Sequence, residues 1–136
     1  MSVVRRTETR RTETPNGVMT TFASPTQGGT GLSMWHVEMA PGRQGPPHAA
    51  DAEQIWTFLT GGATVDLAGD VLTVGPGDTL VLPAGLARRV ATDTGFTAVA
   101  VAPAPCRVYN PDQVTPEHAC ELAPKAAERI VPPWMA

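Results

Sequence analysis

Between positions 48 and 88 the chain carries an imidazole, an amide and a guanidinium: His48, Gln54 and Arg88. An imidazole titrates near neutral pH, so His48 can move a proton or offer a lone pair to a metal. A guanidinium stays charged and has no lone pair to give. Arg88 therefore repels a cation and welcomes a carboxylate, an enolate or a phosphate, with two parallel hydrogen bonds where geometry allows. The amide of Gln54 accepts through its oxygen and donates through its nitrogen. Trp56 and Phe58 follow Gln54 at intervals of two, which in a strand puts all three side chains on one face. An aromatic wall with one imidazole, one amide and one fixed cation suits a small organic anion with a hydrophobic body. The plainer alternatives are core packing, strongest for Phe58, a hydrogen-bonded histidine at a barrel mouth, and an arginine that reaches to the rim.

The elements that must hold these groups are short strands. Val18–Ala23, Leu32–Met39, Gln54–Leu59, Ala63–Leu67, Val71–Val74, Thr79–Leu82, Ala87–Ala91 and Thr97–Ala102 read as strands, with a hairpin around Gly69-Asp70. Fourteen prolines and thirteen glycines punctuate them, which favours an antiparallel sandwich or barrel over long helices. By alternation, Glu53 and Arg89 point away from Gln54 and Arg88. On Leu32–Met39 the set Trp35, Val37 and Met39 shares one face and His36 and Glu38 the other. Burying the apolar set turns His36 toward solvent; the reverse parity would make His36 a further metal ligand. The pentapeptide Arg5-Arg6-Thr7-Glu8-Thr9 repeats at once as Arg10-Arg11-Thr12-Glu13-Thr14. Residues 1–14 read as an N-terminal arm or edge strand, suited to pairing with a second copy. From Pro103 the prolines multiply, and residues 103–136 read as a wrapping tail. It carries one short helix from Pro116, another over Lys125–Ile130, a surface His118 and an apolar anchor at Trp134.

Two runs give a sharper assignment: Gly42-x5-His48-x-Ala50-x3-Gln54-x6-Gly61 and Gly77-x5-Pro83-x-Gly85-x2-Arg88-x3-Thr92. They resemble the paired motifs of the cupin family, G-x5-H-x-H-x3,4-E-x6-G and G-x5-P-x-G-x2-H-x3-N. The glycine and proline skeleton fits at every position. The resemblance covers residues 42–92, with 42–61 as the first motif, 77–92 as the second and fifteen residues between them. It implies an all-β, cupin-like double-stranded β-helix, a jelly-roll barrel with a proline-rich C-terminal tail. In the family two histidines and a carboxylate or amide of the first motif, with one histidine of the second, hold a divalent transition metal. Here His48 and Gln54 occupy ligand positions, Ala50 stands at the second histidine position and Arg88 at the last. The resemblance thus implies a depleted metal site.

One domain of 136 residues and 14.3 kDa accommodates this fold. A net charge of −3 offers nucleic acid no general attraction. No apolar run approaches the ~20 residues that span a bilayer, and no apolar segment follows the arginine-rich start. Cys106 and Cys120 are too few for a disulfide framework, which points to reduced thiols and a cytoplasmic setting. Resemblance to small cupins implies a homodimer and an isomerase, cyclase or dehydratase of secondary metabolism, with His48 moving a proton and Arg88 stabilising an enolate. Two other readings stand beside it. One is a non-catalytic or purely structural barrel, the other a metal-dependent dioxygenase.

Overall fold

The computed structural model describes residues 2–111 and 128–136. After a 3-10 turn at Arg6–Glu8, the strands are β1 (Arg10–Glu13), β2 (Gly17–Ala23), β3 (Leu32–Met39), β4 (Arg43–Gln44), β5 (Ala49–Ala50), β6 (Gln54–Gly61) and β7 (Ala63–Leu67). They continue as β8 (Asp70–Val74), β9 (Thr79–Leu82), β10 (Arg88–Thr92), β11 (Phe96–Pro103), β12 (Val108–Tyr109) and β13 (Arg129–Ile130). A six-stranded sheet runs β1-β2-β3-β11-β6-β9 and a four-stranded sheet β4-β10-β7-β8. A third, short sheet runs β13-β12-β5, and every pairing between these strands is antiparallel. The architecture is the jelly-roll barrel that the paired motifs imply.

Alternation builds the interior. On β11, Phe96, Ala98, Ala100 and Ala102 are buried while Thr97, Val99 and Val101 are half-buried. Three inward alanines on a central strand leave space that larger neighbours fill. Ala100 pairs with Trp35 on one side and Trp56 on the other, and Ala98 with Val37 and Phe58. Opposite them, Val65 and Val90 of the four-stranded sheet are buried too. Burying such apolar area at roughly 25 cal/mol per Å² is what holds two twisted sheets face to face.

The loops are set by local geometry. The β7–β8 hairpin turns at Ala68 and Gly69, with φ of 51° and 95°. Two consecutive positive φ angles are those of a type I′ turn, whose twist matches that of the strands. The turn therefore lies one residue before the Gly69-Asp70 expected, and Asp70 opens β8. Gly61 ends β6 at φ +71°, and a Cβ there would lie 1.9 Å from the Gly95 carbonyl oxygen. Only glycine lets β6 and the turn before β11 approach so closely.

Two identical pentapeptides fold differently. The first copy contains the 3-10 turn, whereas the second forms β1 and pairs with β2 from Arg10↔Thr21 to Glu13↔Val18. Contact with β2, not local propensity, decides the outcome. The helix expected over Lys125–Ile130 is contradicted at its end, because Arg129–Ile130 pairs with β12 and the Arg129 guanidinium lies 4.0 Å over the Tyr109 ring. The helix expected from Pro116, the start of the second helix, His118 and Cys120 all lie outside the described residues. Beyond β13, residues 132–136 pack back onto the six-stranded sheet. Hydroxyls of Thr21, Ser33 and Ser24 donate to the carbonyl oxygens of Trp134, Met135 and Ala136 at 2.7, 2.5 and 2.6 Å. Among the described residues no helix is long and apolar enough to cross a membrane.

Candidate functional site

Inside the barrel lies a cavity of about 150 Å³. Its polar lining includes His48, Gln54 and Arg88, and much of the remainder is apolar. All three of the chain's tryptophans, Trp35, Trp56 and Trp134, contribute to it. A void of this size takes one benzene-sized ring.

His48 and Arg88 are neighbours because their backbones form an antiparallel bridge. The His48 N–H donates to the Arg88 carbonyl at 3.0 Å and the Arg88 N–H to the His48 carbonyl at 2.9 Å. Residues that exchange both bonds in this way present their side chains on the same face. The His48 Nδ1 lies 2.9 Å from the Pro46 carbonyl oxygen. A carbonyl only accepts, so Nδ1 carries the hydrogen and Nε2 keeps its lone pair in the neutral ring. Burial, then the charge of Arg88, pull the His48 pKa from 6.5 down to about 4, partly opposed by the Pro46 bond. The ring is therefore neutral at neutral pH.

Arg88 is only 3% exposed. Burial lowers its pKa to about 10, with Cys106 and Tyr109 nearby acting in the opposite direction, so it remains charged at neutral pH. Its Nη2 donates to Gln54 Oε1 at 3.1 Å. Its Nη1 is buried and, among the described residues, has no hydrogen-bond partner. A buried, charged donor left without an acceptor costs more than the ~1–3 kcal/mol of a neutral one.

Gln54 is 1% exposed and fully engaged. Its Oε1 accepts from Arg88 and from Trp56 Nε1, each at 3.1 Å. Both neighbours are donors, which fixes the oxygen at that end of the amide. The nitrogen faces two sulfurs, Cys106 Sγ at 3.5 Å and Met135 Sδ at 3.9 Å.

The divalent metal implied by the motif positions does not fit this donor set. Ala50 is a buried methyl group, the Gln54 oxygen already serves two donors, and a guanidinium stands beside it. His48 Nε2 alone remains as a free donor, and catalytic zinc commonly takes three protein ligands. Nor do the described residues hold any group of three or more His, Cys, Asp or Glu able to share an ion. His36 does not complete the set. Trp35 and Val37 take the inner face of β3, so the His36 ring is turned outward, where it lies 6.2 Å from the Phe22 ring.

Phe58 also departs from expectation. It shares the inward face with Gln54 and Trp56 and is fully buried, but it lies beyond the cavity lining. Its ring packs against Phe96 at 5.0 Å and Trp56 at 6.4 Å. It is core behind the wall, not wall. Glu53 and Arg89 are exposed, as alternation requires. Sequence reasoning did not single out Trp35, Met135 or Cys106 for the site. For Trp35 the signal was available in its inward parity. For Met135 and Cys106 no periodicity marks residues of a tail.

The family model for the cupin domain matches residues 35–102. Comparison with curated proteins finds no match. Among solved structures, the polyketide cyclase RemF from Streptomyces resistomycificus is similar at 22% identity and a TM-score of 0.65, over 78% of this chain and 83% of that one. An RmlC-like cupin from Shewanella frigidimarina gives 16% identity and a TM-score of 0.67, over 77% and 93% of the two chains. Salicylate 1,2-dioxygenase from Pseudoaminobacter salicylatoxidans, with gentisate adducts, gives 18% and 0.64, over 73% of this chain but only 30% of that one. At these identities the likeness is one of fold.

Proposed function

The chain belongs to the cupin domain family, and from that premise we propose that its barrel binds a small organic anion and moves a proton on it. The observation that carries the proposal is Arg88 Nη1, a buried cationic donor without a partner among the described residues, in a cavity whose lining is largely apolar but also includes Thr14, Asn16, Glu38, His48 and Gln54. A carboxylate or enolate oxygen is the group that satisfies it, in a charge-assisted bond. The ~150 Å³ cavity favours one ring or an equally compact body. Salicylate and gentisate, named with the dioxygenase of similar fold, are single-ring acids and agree with that size.

His48 is the acid–base group. Its free Nε2 faces the same space as Arg88, and an anion on Arg88 screens the charge that helps depress the His48 pKa. Binding thereby makes the imidazole a better base at the moment it is needed. Proton abstraction next to a carbonyl gives an enolate, whose charge Arg88 offsets without a metal. On an enolisable substrate, isomerisation, aldol cyclisation and β-elimination of water can each begin this way, and a polyketide cyclase shares the fold.

Tryptophan fluorescence tests the binding step, because every tryptophan lines the cavity. Wild type should bind phenylpyruvate, and Arg88→Met, which keeps the volume, should bind it at least about ten-fold more weakly, the loss of one charge-assisted hydrogen bond. Equal affinities remove Arg88 from recognition. For the proton step, wild type should exchange the phenylpyruvate methylene hydrogens for deuterium in D2O. His48→Ala should bind without exchanging them; undiminished exchange takes His48 out of the mechanism.

A further inference from the structure

The neighbours of Arg88 position its charge without forming an ion pair with it; the carboxylate on the cavity lining, Glu38, is exposed and makes no ion pair with Arg88 among the described residues. Arg88 Nη2 is tied to Gln54 Oε1 at 3.1 Å. The same oxygen is held from a second side by Trp56 Nε1 at 3.1 Å, and the amide nitrogen lodges against Cys106 and Met135. Four contacts, two donors on the oxygen and two sulfurs at the nitrogen, thus lock the amide in one orientation. No Arg88–carboxylate ion pair is present among the described residues; the ion pair found is the exposed Arg11–Glu13. An amide oxygen accepts as a carboxylate does but carries no net charge. A carboxylate at the same place would form a buried ion pair with Arg88 and leave no net positive charge for a ligand.

We infer that Gln54 sets the charge selectivity of the cavity, orienting Arg88 as a neutral acceptor so that its uncancelled charge selects a monoanion over a neutral molecule of the same shape. The inference rests on the anion-binding function proposed above. Gln54 is a positioning residue here: it acts through Arg88 and needs no contact with the ligand. Its role is therefore read in a ratio of affinities and not in affinity alone. General damage to the cavity would weaken two ligands of equal shape to a similar degree, whereas a change of charge separates them.

The probes are benzoate and benzamide, which differ little in shape and fully in charge. Binding is followed by tryptophan fluorescence at pH 7.5 on the full chain. Wild type should prefer benzoate by at least about ten-fold, the worth of one charge-assisted hydrogen bond. Gln54→Glu is isosteric and should abolish that preference, because the new carboxylate cancels Arg88. Gln54→Met has similar length and no charge; it should weaken both ligands and keep the preference for benzoate. Retention of the wild-type ratio in Gln54→Glu overturns the inference, as does loss of the ratio in Gln54→Met. If the glutamate variant does not fold, Gln54→Asp carries the carboxylate on a shorter arm and should likewise lower the preference for benzoate; an unchanged ratio there overturns the inference. A wild type that shows no preference for benzoate overturns the anion-binding function itself, a result distinct from either failure at position 54.

Discussion

At the scale of single residues, His48 gives the clearest dependence on pH. Its folded pKa of about 4 lies below the 6.5 of a free imidazole. Above pH 6.5 the ring is neutral folded and unfolded and adds no pH dependence. Between 6.5 and 4 the unfolded chain takes up a proton that the folded chain refuses, so stability falls as pH falls through that window. An anion on Arg88 reverses the preference by pairing with the imidazolium. Benzenesulfonate, anionic throughout, should therefore bind more tightly as pH drops from 6.5 toward 4, by up to about ten-fold per unit. Titration of the His48 ring protons by NMR checks both halves: a midpoint near 4 in the free protein and a higher one in the complex. A free midpoint near 6.5 would mean that neither burial nor Arg88 acts on the ring. The inward placement of Gln54, Trp56 and Arg88 was legible in the sequence, because alternation and the motif spacing fix which way a strand residue points. The difference between Trp56 and Phe58 was not. Both point inward, and only the opposing Phe96, distant in sequence, turns the Phe58 position into solid core.

At the scale of elements, the motif glycines divide by what surrounds them. Gly61 and Gly77 both have positive φ, at 71° and 85°. A Cβ on Gly61 would collide with the Gly95 backbone, whereas one on Gly77 would meet nothing within 4 Å. Gly77→Ala should thus cost only the left-handed strain, about 1–2 kcal/mol. Gly61→Ala must also part β6 from the turn before β11, and should cost several kcal/mol more or prevent folding. Urea denaturation of the two variants measures the difference; equal midpoints would show that the turn before β11 yields freely. The long strands were legible because period-two patterning persists over five to eight residues in β3, β6, β7 and β11. The two-residue strands β4, β5, β12 and β13 were not, since a pair of residues has no period. Their formation depends on partners such as Arg88–Thr92 for β4 and Ala49–Ala50 for β12.

At the scale of the whole molecule, the barrel and its tail divide the work. Met135 is 2% exposed and, with Trp134, closes part of the cavity. Removal of residues 132–136 withdraws that wall and strips Thr21, Ser24 and Ser33 of their acceptors. Loss of a buried methionine alone costs about 2 kcal/mol or more, so the melting temperature should fall by roughly 5–15 °C. Calorimetry checks this, and an unchanged Tm would mean that the tail merely rests on the surface. The groups proposed to handle charge, His48, Gln54 and Arg88, sit on or beside barrel strands, whereas the aromatic and thioether lining at 134 and 135 arrives on a separate appendage. Exchange of that appendage for another short sequence would redraw the contour offered to a ligand while leaving His48, Gln54 and Arg88 on the barrel, the Met135 sulfur against the Gln54 amide being a direct tie between the two. A fold arranged in this way can change which molecules it admits faster than it changes what it does to them.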